Sequence, residues 1–326
     1  MKSPIKIAGM GMFLSDNVVT NDDISENLDT SDEWIRTRTG ISERRISEDF
    51  ETNSYITSKA CQRAIDQAGI SPEDIDVFIL GTFTPDMRTP STACAVQGLL
   101  GLSNAWCFDL NAACCGFLYG LELAGGLLQN YPHYNILVCG AERLSRVVDW
   151  EDRSTCVLFG DGAGAFVLNM EESISHEIVD ITARSYGNLS HLITMPYGGT
   201  ETPLTPENIN ERKHFLTMEG STVFKNAIKS MVEVCNDVLK HTKVSMDEIA
   251  WLVPHQANQR ILDGVGKKLK IDIARVYSNV ERFGNISAAS IPVAICEMSD
   301  KLKQGDLLLL AAFGAGLTCA GGLIKW

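Results

Sequence analysis

Cys114 lies in Asn111-Ala112-Ala113-Cys114-Cys115-Gly116-Phe117, between the apolar runs 105–110 and 117–128. That order predicts a strand, a tight turn and a helix. It places a thiol where unpaired backbone N–H groups and the helix dipole favour its thiolate. A thiolate so held attacks carbonyl carbon, and the same N–H groups hold the oxyanion that forms. In Trp251-Leu252-Val253-Pro254-His255-Gln256-Ala257-Asn258 a predicted strand stops at a proline, leaving His255 at its end. In Glu281-Arg282-Phe283-Gly284-Asn285-Ile286-Ser287-Ala288-Ala289-Ser290, Asn285 follows a glycine turn and precedes a small-residue helix start. Singly, each has an ordinary reading: an inert core thiol, a satisfied loop histidine, a helix-capping asparagine. Together, three such groups at the mouths of apolar elements form a catalytic constellation.

The elements that must carry these groups come in two similar rounds. Gly69-Ile70-Ser71-Pro72-Glu73-Asp74-Ile75-Asp76-Val77 parallels Lys243-Val244-Ser245-Met246-Asp247-Glu248-Ile249-Ala250-Trp251, with Ser71 and Ser245 174 residues apart in a chain of 326. Each follows an amphipathic helical pattern (58–68 and 223–241), opens a capped short helix and leads into a buried strand. Further on, 106–110 with its turn to Cys114 corresponds loosely to 276–280 with its turn to Asn285, which predicts related positions for the nucleophile and the Asn. The charged break Met170-Glu171-Glu172 divides the chain into halves 1–170 and 171–326. Repetition alone fits two ordinary α/β domains equally. Segment 188–214, rich in Gly, Pro, Thr and polar residues, predicts an irregular excursion. Gly160-Asp161-Gly162-Ala163-Gly164 leads into a strand and lacks Lys, so it is no phosphate loop.

Ala113-Cys114 with Gly116-Phe117, Pro254-His255-Gln256-Ala257-Asn258 and Gly284-Asn285-Ile286-Ser287-Ala288-Ala289-Ser290 resemble the three active-site motifs of the β-ketoacyl-acyl-carrier-protein synthases III. These initiate bacterial type II fatty acid synthesis and belong to the thiolase superfamily. The resemblance runs through Thr30-Ser31-Asp32-Glu33-Trp34-Ile35, Thr37-Arg38-Thr39-Gly40-Ile41, Phe159-Gly160-Asp161-Gly162-Ala163-Gly164-Ala165 and Phe313-Gly314-Ala315-Gly316, in the family's order. It implies an α/β thiolase-like fold, two βαβαβαββ halves in a five-layer α-β-α-β-α sandwich. It implies a decarboxylative condensation of acyl-coenzyme A with malonyl-acyl-carrier-protein through an acyl-Cys114 intermediate. His255 and Asn285 would stabilise the enolate, and the Cys114 and Ala315 N–H groups would form the oxyanion hole. Thr30, Trp34, Arg38, Arg153 and Asn258 would bind coenzyme A. Gln256, Ala257, Asn258, Gln259 and Arg260 would meet the carrier, and Phe283 and Phe313 would wall the acyl pocket. Thr89 stands where some relatives place a phenylalanine that closes this pocket from a partner subunit, so a homodimer and a primer larger than acetyl are expected. Coenzyme A and carrier thioesters are substrates, and no cofactor or metal is implied.

Several readings stay open beside this one. The same fold serves cofactor and secondary-metabolite pathways, and a degradative thiolase would use a second cysteine such as Cys319. A catalytically silent acyl-binding protein and a cysteine hydrolase are further alternatives. The composition, 45% hydrophobic and 21% charged, is that of a soluble globular protein. Its start lacks a signal-peptide core and the run 307–313 is too short to span a bilayer, so a cytoplasmic location without membrane contact is expected. Ten cysteines without a Cys-x-x-Cys pair predict reduced thiols rather than disulfides or a zinc site, with Cys115 as packing. The net charge of −13 argues against nucleic acid. Arg260, Lys267 and Lys268 share one predicted helix face, and Lys225 lies on the amphipathic segment 218–234. They read as an ordinary solvated face or, given the resemblance, as the salt-sensitive dock for an acidic carrier and coenzyme A phosphates.

Overall fold

The computed structural model describes residues 4–326. The strands of its main sheet are β1 (Ile5–Phe13), β2 (Val77–Gly81), β3 (Trp106–Leu110), β4 (Ile136–Arg143), β5 (Asp161–Asn169), β6 (Glu177–Ser185), β7 (Ile249–Pro254), β8 (Leu307–Gly314) and β9 (Thr318–Lys325). The longer helices are α1 (Asp32–Thr39), α2 (Asn53–Ala68), α3 (Thr92–Leu100), α4 (Gly116–Asn130), α5 (Gly220–Thr242), α6 (Gln259–Leu269) and α7 (Ser290–Met298). Local chemistry sets their ends. Thr52 caps α2 by accepting from the Tyr55 N–H, and Gly69 closes it at φ 68°. Ser71 and Ser245, matched by sequence, both open short turns with reciprocal capping boxes, to Asp74 and Glu248.

Hydrogen bonding joins nine strands in the order β7-β8-β9-β6-β1-β5-β4-β2-β3. In the first half β2 runs parallel to β3 and β4, while β5 runs antiparallel to β4 and β1. The second half repeats this: β7 is parallel to β8, and β9 is antiparallel to β8 and β6. The pairs Ile5–Ile178 and Lys6–Glu177, with the bond from the Ile7 N–H to the His176 carbonyl, link the two halves across β1 and β6. The element sequence therefore restarts at β6, with one difference. The counterpart of β3 shrinks to a single parallel bridge between Leu252 and Val276.

Helices α2 and α3 cover the first half and α5 and α6 the second, while α4 and α7 lie between them. This is the five-layer thiolase-like arrangement expected from the resemblance. The middle layer is apolar because both its faces are covered. Phe117, Leu121 and Leu128 of α4 and Ile291, Ile295 and Met298 of α7 share one core with Val138 and Phe166 of the first half and Leu308 and Leu310 of the second. Phe117 meets Phe166 edge-on at 5.0 Å. Each such side chain contributes about 1.5–3 kcal/mol by burial. The turns that open α4 and α7 thus rest on a rigid base at the centre of the molecule.

Candidate active site

Between β3 and α4, the Asn111 Oδ1 accepts the Ala113 N–H at 3.3 Å, and Ala113 takes a left-handed φ of 46°. Ala113–Cys115 then forms a 3₁₀ turn, and the Thr318 hydroxyl clamps the Ala112 carbonyl at 3.0 Å. Two glycines let backbone approach this turn. A Cβ at Gly81 would stand 2.6 Å from the Gly116 carbonyl carbon, and one at Gly314 would stand 2.8 Å from the Cys114 nitrogen. The predicted thiolate is not the resting state. Burial pushes the Cys114 thiol up to about 12, against the Ser287 hydroxyl, whose hydrogen bond favours the ionised form. Cys114 is held as a thiol whose proton must be taken when it attacks.

His255 ends β7, its N–H bonded to the Ala311 carbonyl at 2.7 Å. Burial lowers its imidazole to about 3, so the ring is neutral and carries one N–H. Its Nδ1 is buried with no partner among the described residues. Asn285 is clamped through its backbone, its N–H donating to Leu158 at 2.8 Å and its carbonyl accepting from Gly160 at 3.0 Å. Gly284, at φ 63°, makes the turn before it. The Asn285 Oδ1 accepts the Ser287 N–H at 2.9 Å, which leaves the amide NH2 as the end not engaged by the turn.

One cavity of about 610 Å³ brings these groups together. Cys114, His255, Asn285, Phe313, Gly314 and Ala315 line it, as do Trp34, Arg38, Arg153 and Asn258. Arg38 and Arg153 lie over the Trp34 ring at 4.4 and 5.2 Å. The excursion near 190 contributes Ile193, Thr194 and Met195 to the wall. A thiol beside two neutral hydrogen-bond donors in an apolar cavity suits acyl transfer through an oxyanion or enolate.

The family model described as 3-Oxoacyl-[acyl-carrier-protein (ACP)] synthase III matches residues 108–187, and the model of its C-terminal part matches 239–326. The chain is 46% identical to the β-ketoacyl-acyl-carrier-protein synthase III of Clostridium beijerinckii, over 99% of this chain and 100% of that one. It superimposes on the crystal structure of 3-oxoacyl-acyl-carrier-protein synthase III from Aquifex aeolicus with a TM-score of 0.90 and 44% identity, covering 99% and 100% of the two chains. The chain belongs to the 3-oxoacyl-acyl-carrier-protein synthase III family. The priming β-ketosynthase of the R1128 polyketide biosynthetic pathway is also similar, with a TM-score of 0.91, 31% identity and coverage of 99% and 96%.

Against this synthase III frame, several expected site residues fall elsewhere. Gln256 does not face a carrier: it is fully buried, donating to the Pro254 and Tyr277 carbonyls at 2.7 and 3.2 Å and accepting from the Asn279 N–H. It braces the His255 loop. Gln259 is half-buried and tied to Asp263 and Ser278. Phe283 is no acyl wall; it packs with Ile286, Ala289 and Val293 under the cavity-lining turn. Thr30 does not line the cavity, and Thr89 is exposed and away from the cavity of its own chain. Asn258 caps α6 through the Arg260 N–H and donates to the Arg38 carbonyl at 3.2 Å, with Ala257 beside it on the wall. Lys225, Arg260, Lys267 and Lys268 are exposed, and Arg260 lies over Phe224, a cavity residue, at 5.4 Å. Cys115 and Cys319 are buried in core clusters rather than in the cavity, which removes the second thiol a degradative thiolase needs.

Two residues without an assigned role emerge from the geometry. Ser287 and Asn111 both line the cavity and both belong to the paired turns. The signal for Asn111 was present in the sequence: Asn285 lies 174 residues after it, the same offset as Ser71 and Ser245. This corrects the expected correspondence, because Asn285 matches Asn111, and Cys114 matches Ala288.

Proposed function

We propose that the chain is a β-ketoacyl-acyl-carrier-protein synthase III, an acyltransferase that opens fatty acid synthesis by condensing an acyl-coenzyme A primer with malonyl-acyl-carrier-protein. The meeting of Cys114, His255 and Asn285 in one cavity, with two arginines against the Trp34 ring on its wall, is the observation that carries this reading. The Cys114 sulfur attacks the primer thioester; its bond to the acyl carbon forms as the bond to coenzyme A breaks. The thiol proton passes by way of neutral His255 to the departing coenzyme A thiolate. The N–H groups of Cys114 and Ala315 hold the oxyanion, and one such donor is worth about 3 kcal/mol. Malonyl-carrier then loses carbon dioxide, and the electron pair of that bond becomes an enolate held by His255 N–H and the Asn285 amide. The enolate carbon attacks the acyl-cysteine, the carbon–sulfur bond breaks, and the freed thiolate takes up one proton.

Trp34, Arg38 and Arg153 meet the nucleotide, Asn258 lies along its path, and Lys225, Arg260, Lys267 and Lys268 attract the acidic carrier despite the net charge of −13. Phe313 bounds the acyl group. The open edge of β3 supports a homodimer: Trp106 is 50% exposed there, stacked on Phe108, with Leu99 63% exposed nearby. Thr89 of one subunit then reaches the pocket of the other, and its small side chain admits primers beyond acetyl. The repeat of elements supports a division at about residue 170. A cytoplasmic location fits ten free cysteines. A second reading, priming of a polyketide carrier, draws on the 31% identity to the R1128 enzyme.

Intact mass after incubation with acyl-coenzymes A from acetyl to lauroyl, with and without Cys114→Ala, tests the reading. We expect Cys114-dependent adducts that malonyl-acyl-carrier-protein discharges as β-ketoacyl-carrier. Adducts formed equally without Cys114, or never discharged, overturn it. Discharge to a polyketide carrier in preference to the fatty acid carrier selects the second reading.

A further inference from the structure

A buried carboxyl that the reaction above does not use is hydrogen-bonded to Ser287, which lines the cavity together with Cys114. Glu142, near the end of β4, is wholly shielded from solvent. Its Oε2 accepts from Thr82 Oγ1 at 3.1 Å, Phe83 N–H at 3.2 Å, Thr84 N–H at 3.1 Å and Thr84 Oγ1 at 2.5 Å. Among the described residues, its Oε1 faces only the Phe83 N–H at 3.3 Å and the Ser287 Oγ at 3.2 Å. An oxygen already ringed by donors has no lone pair left for a proton. The carboxyl proton therefore belongs on Oε1, directed at Ser287. Burial keeps it there, raising the group to about 8 in spite of these donors.

The titratable group that faces this carboxyl is Cys114 itself. Charged side chains on the surrounding elements are engaged elsewhere. Arg143 donates to the Ser47 and Glu48 carbonyls, Asp161 accepts from Ser47 and Ser145, and Asp86 accepts from the Ser54 N–H. From α2 the neighbour is uncharged Asn53, bonded to Thr82 and Thr84.

Ser287 has a single hydroxyl hydrogen to place. When Glu142 donates to its oxygen, that hydrogen is free for the Cys114 sulfur. When Glu142 is ionised, the carboxylate takes the hydrogen and the sulfur loses a donor. We propose that Glu142 is a positioning residue for the nucleophile: as a neutral acid it turns the Ser287 hydroxyl toward Cys114 and so favours the thiolate. This rests on the reading of Cys114 as the acyl-accepting residue. It makes one carboxyl in the first half set the reactivity of the nucleophile through a serine of the second.

The test follows alkylation of Cys114 by iodoacetamide, read on its own peptide by mass spectrometry, between about pH 6 and pH 10. In the unaltered protein the rate climbs less steeply above about pH 8, as Glu142 ionises and the thiolate loses its donor. Glu142→Gln offers an amide NH2 to Ser287 and an oxygen to the other donors, so it imitates the neutral acid at every pH. Its rate should keep climbing and overtake the unaltered protein above that point. Ser287→Ala should slow alkylation about tenfold below it. Thermal melting of both variants reports whether they are folded. A Glu142→Gln profile superimposed on the original, or a Ser287→Ala rate equal to it, overturns the proposal; a purely structural role slows all pH values alike. Acyl loading from acyl-coenzyme A, compared with Cys114→Ala, reports separately on whether Cys114 is the acceptor.

Discussion

The turn Asn111–Gly116 and the turn Asn285–Ser290 have nearly the same backbone. Each begins with an Asn whose side-chain oxygen accepts the N–H two residues on, at 3.3 Å in one and 2.9 Å in the other. Each places the next residue but one in the left-handed region, Ala113 at φ 46° and Ser287 at φ 48°. Each then makes one 3₁₀ turn and enters a helix of the middle layer. The fold therefore builds the same device twice, and the difference lies in what fills it. The first turn carries Cys114 where the second carries buried Ala288. The strand ends that face the turns differ too. By strand register Glu142 of β4 occupies the place of Gly314 in β8. Gly314 leaves room at Cys114, whereas Glu142 reaches Ser287 and fills the matching space. One turn is emptied for a substrate and the other is filled to hold polar groups in place.

The largest expected effect separates the turns outright. Cys114→Ala should abolish acyl loading, a loss of at least about a thousandfold in condensation. Moving the thiol to the other turn, as Cys114→Ala with Ala288→Cys, should not restore it. Ala288 is only 1% exposed, and its carbonyl oxygen would stand 2.3 Å from a Cβ at Gly140, so no acyl group can enter there. Intact mass after incubation with acyl-coenzyme A decides this, and rescue would mean that the two turns are equivalent after all.

The two asparagines should part in a smaller but more specific way. Asn285→Ala removes the amide proposed above to hold the enolate, so acyl loading should persist while discharge by malonyl-carrier falls about a hundredfold. Asn111→Ala removes the anchor of the Ala113 turn and so disturbs the nucleophile. Acyl loading should fall about tenfold, and discharge of the acyl-enzyme that does form should change little. Single-turnover measurement of the two half-reactions separates the cases. Equal losses in both half-reactions for both variants would dissolve the distinction between a turn that attacks and a turn that stabilises.

Much of this pairing was legible in the sequence, because turns and caps are local. The offset between Ser71 and Ser245 is the one that relates the two turns, and the Cys, His and Asn all fall where an apolar run meets a turn. What could not be read is which way a side chain faces once the layers close. Gln256 and Phe283 sit beside His255 and Asn285 in the chain, yet one braces a loop and the other packs beneath it. Glu142 left a faint mark, an acid at the end of the otherwise apolar Ile136-Leu137-Val138-Cys139-Gly140-Ala141. Its partners lie 58 to 60 residues back and 145 residues on, and only the tertiary fold brings them together. The resting thiol was misjudged for the same reason. The helix end favours a thiolate locally, but burial, a tertiary property, dominates.

The smallest effect uses stability to weigh the filled turn against the open one. Glu142 is raised from 4.5 to about 8 in the folded protein, so the folded state holds a proton that the unfolded chain has released. Its contribution is complete below pH 4.5 and is lost as pH rises through 8. His255, lowered from 6.5 to about 3, contributes above pH 6.5 and loses that contribution as pH falls toward 3. The two slopes oppose one another at acidic pH. Between pH 6.5 and 8 only the Glu142 slope remains of the two, falling by at most about 2 kcal/mol. Urea unfolding at those two pH values should show the decline in the unaltered protein and a flatter response in Glu142→Gln. If both respond alike, the carboxyl is already ionised when folded, and the second turn is held by an anion rather than a neutral acid. The contrast between a filled turn that stores a proton and an open turn that must shed one would then have to be given up.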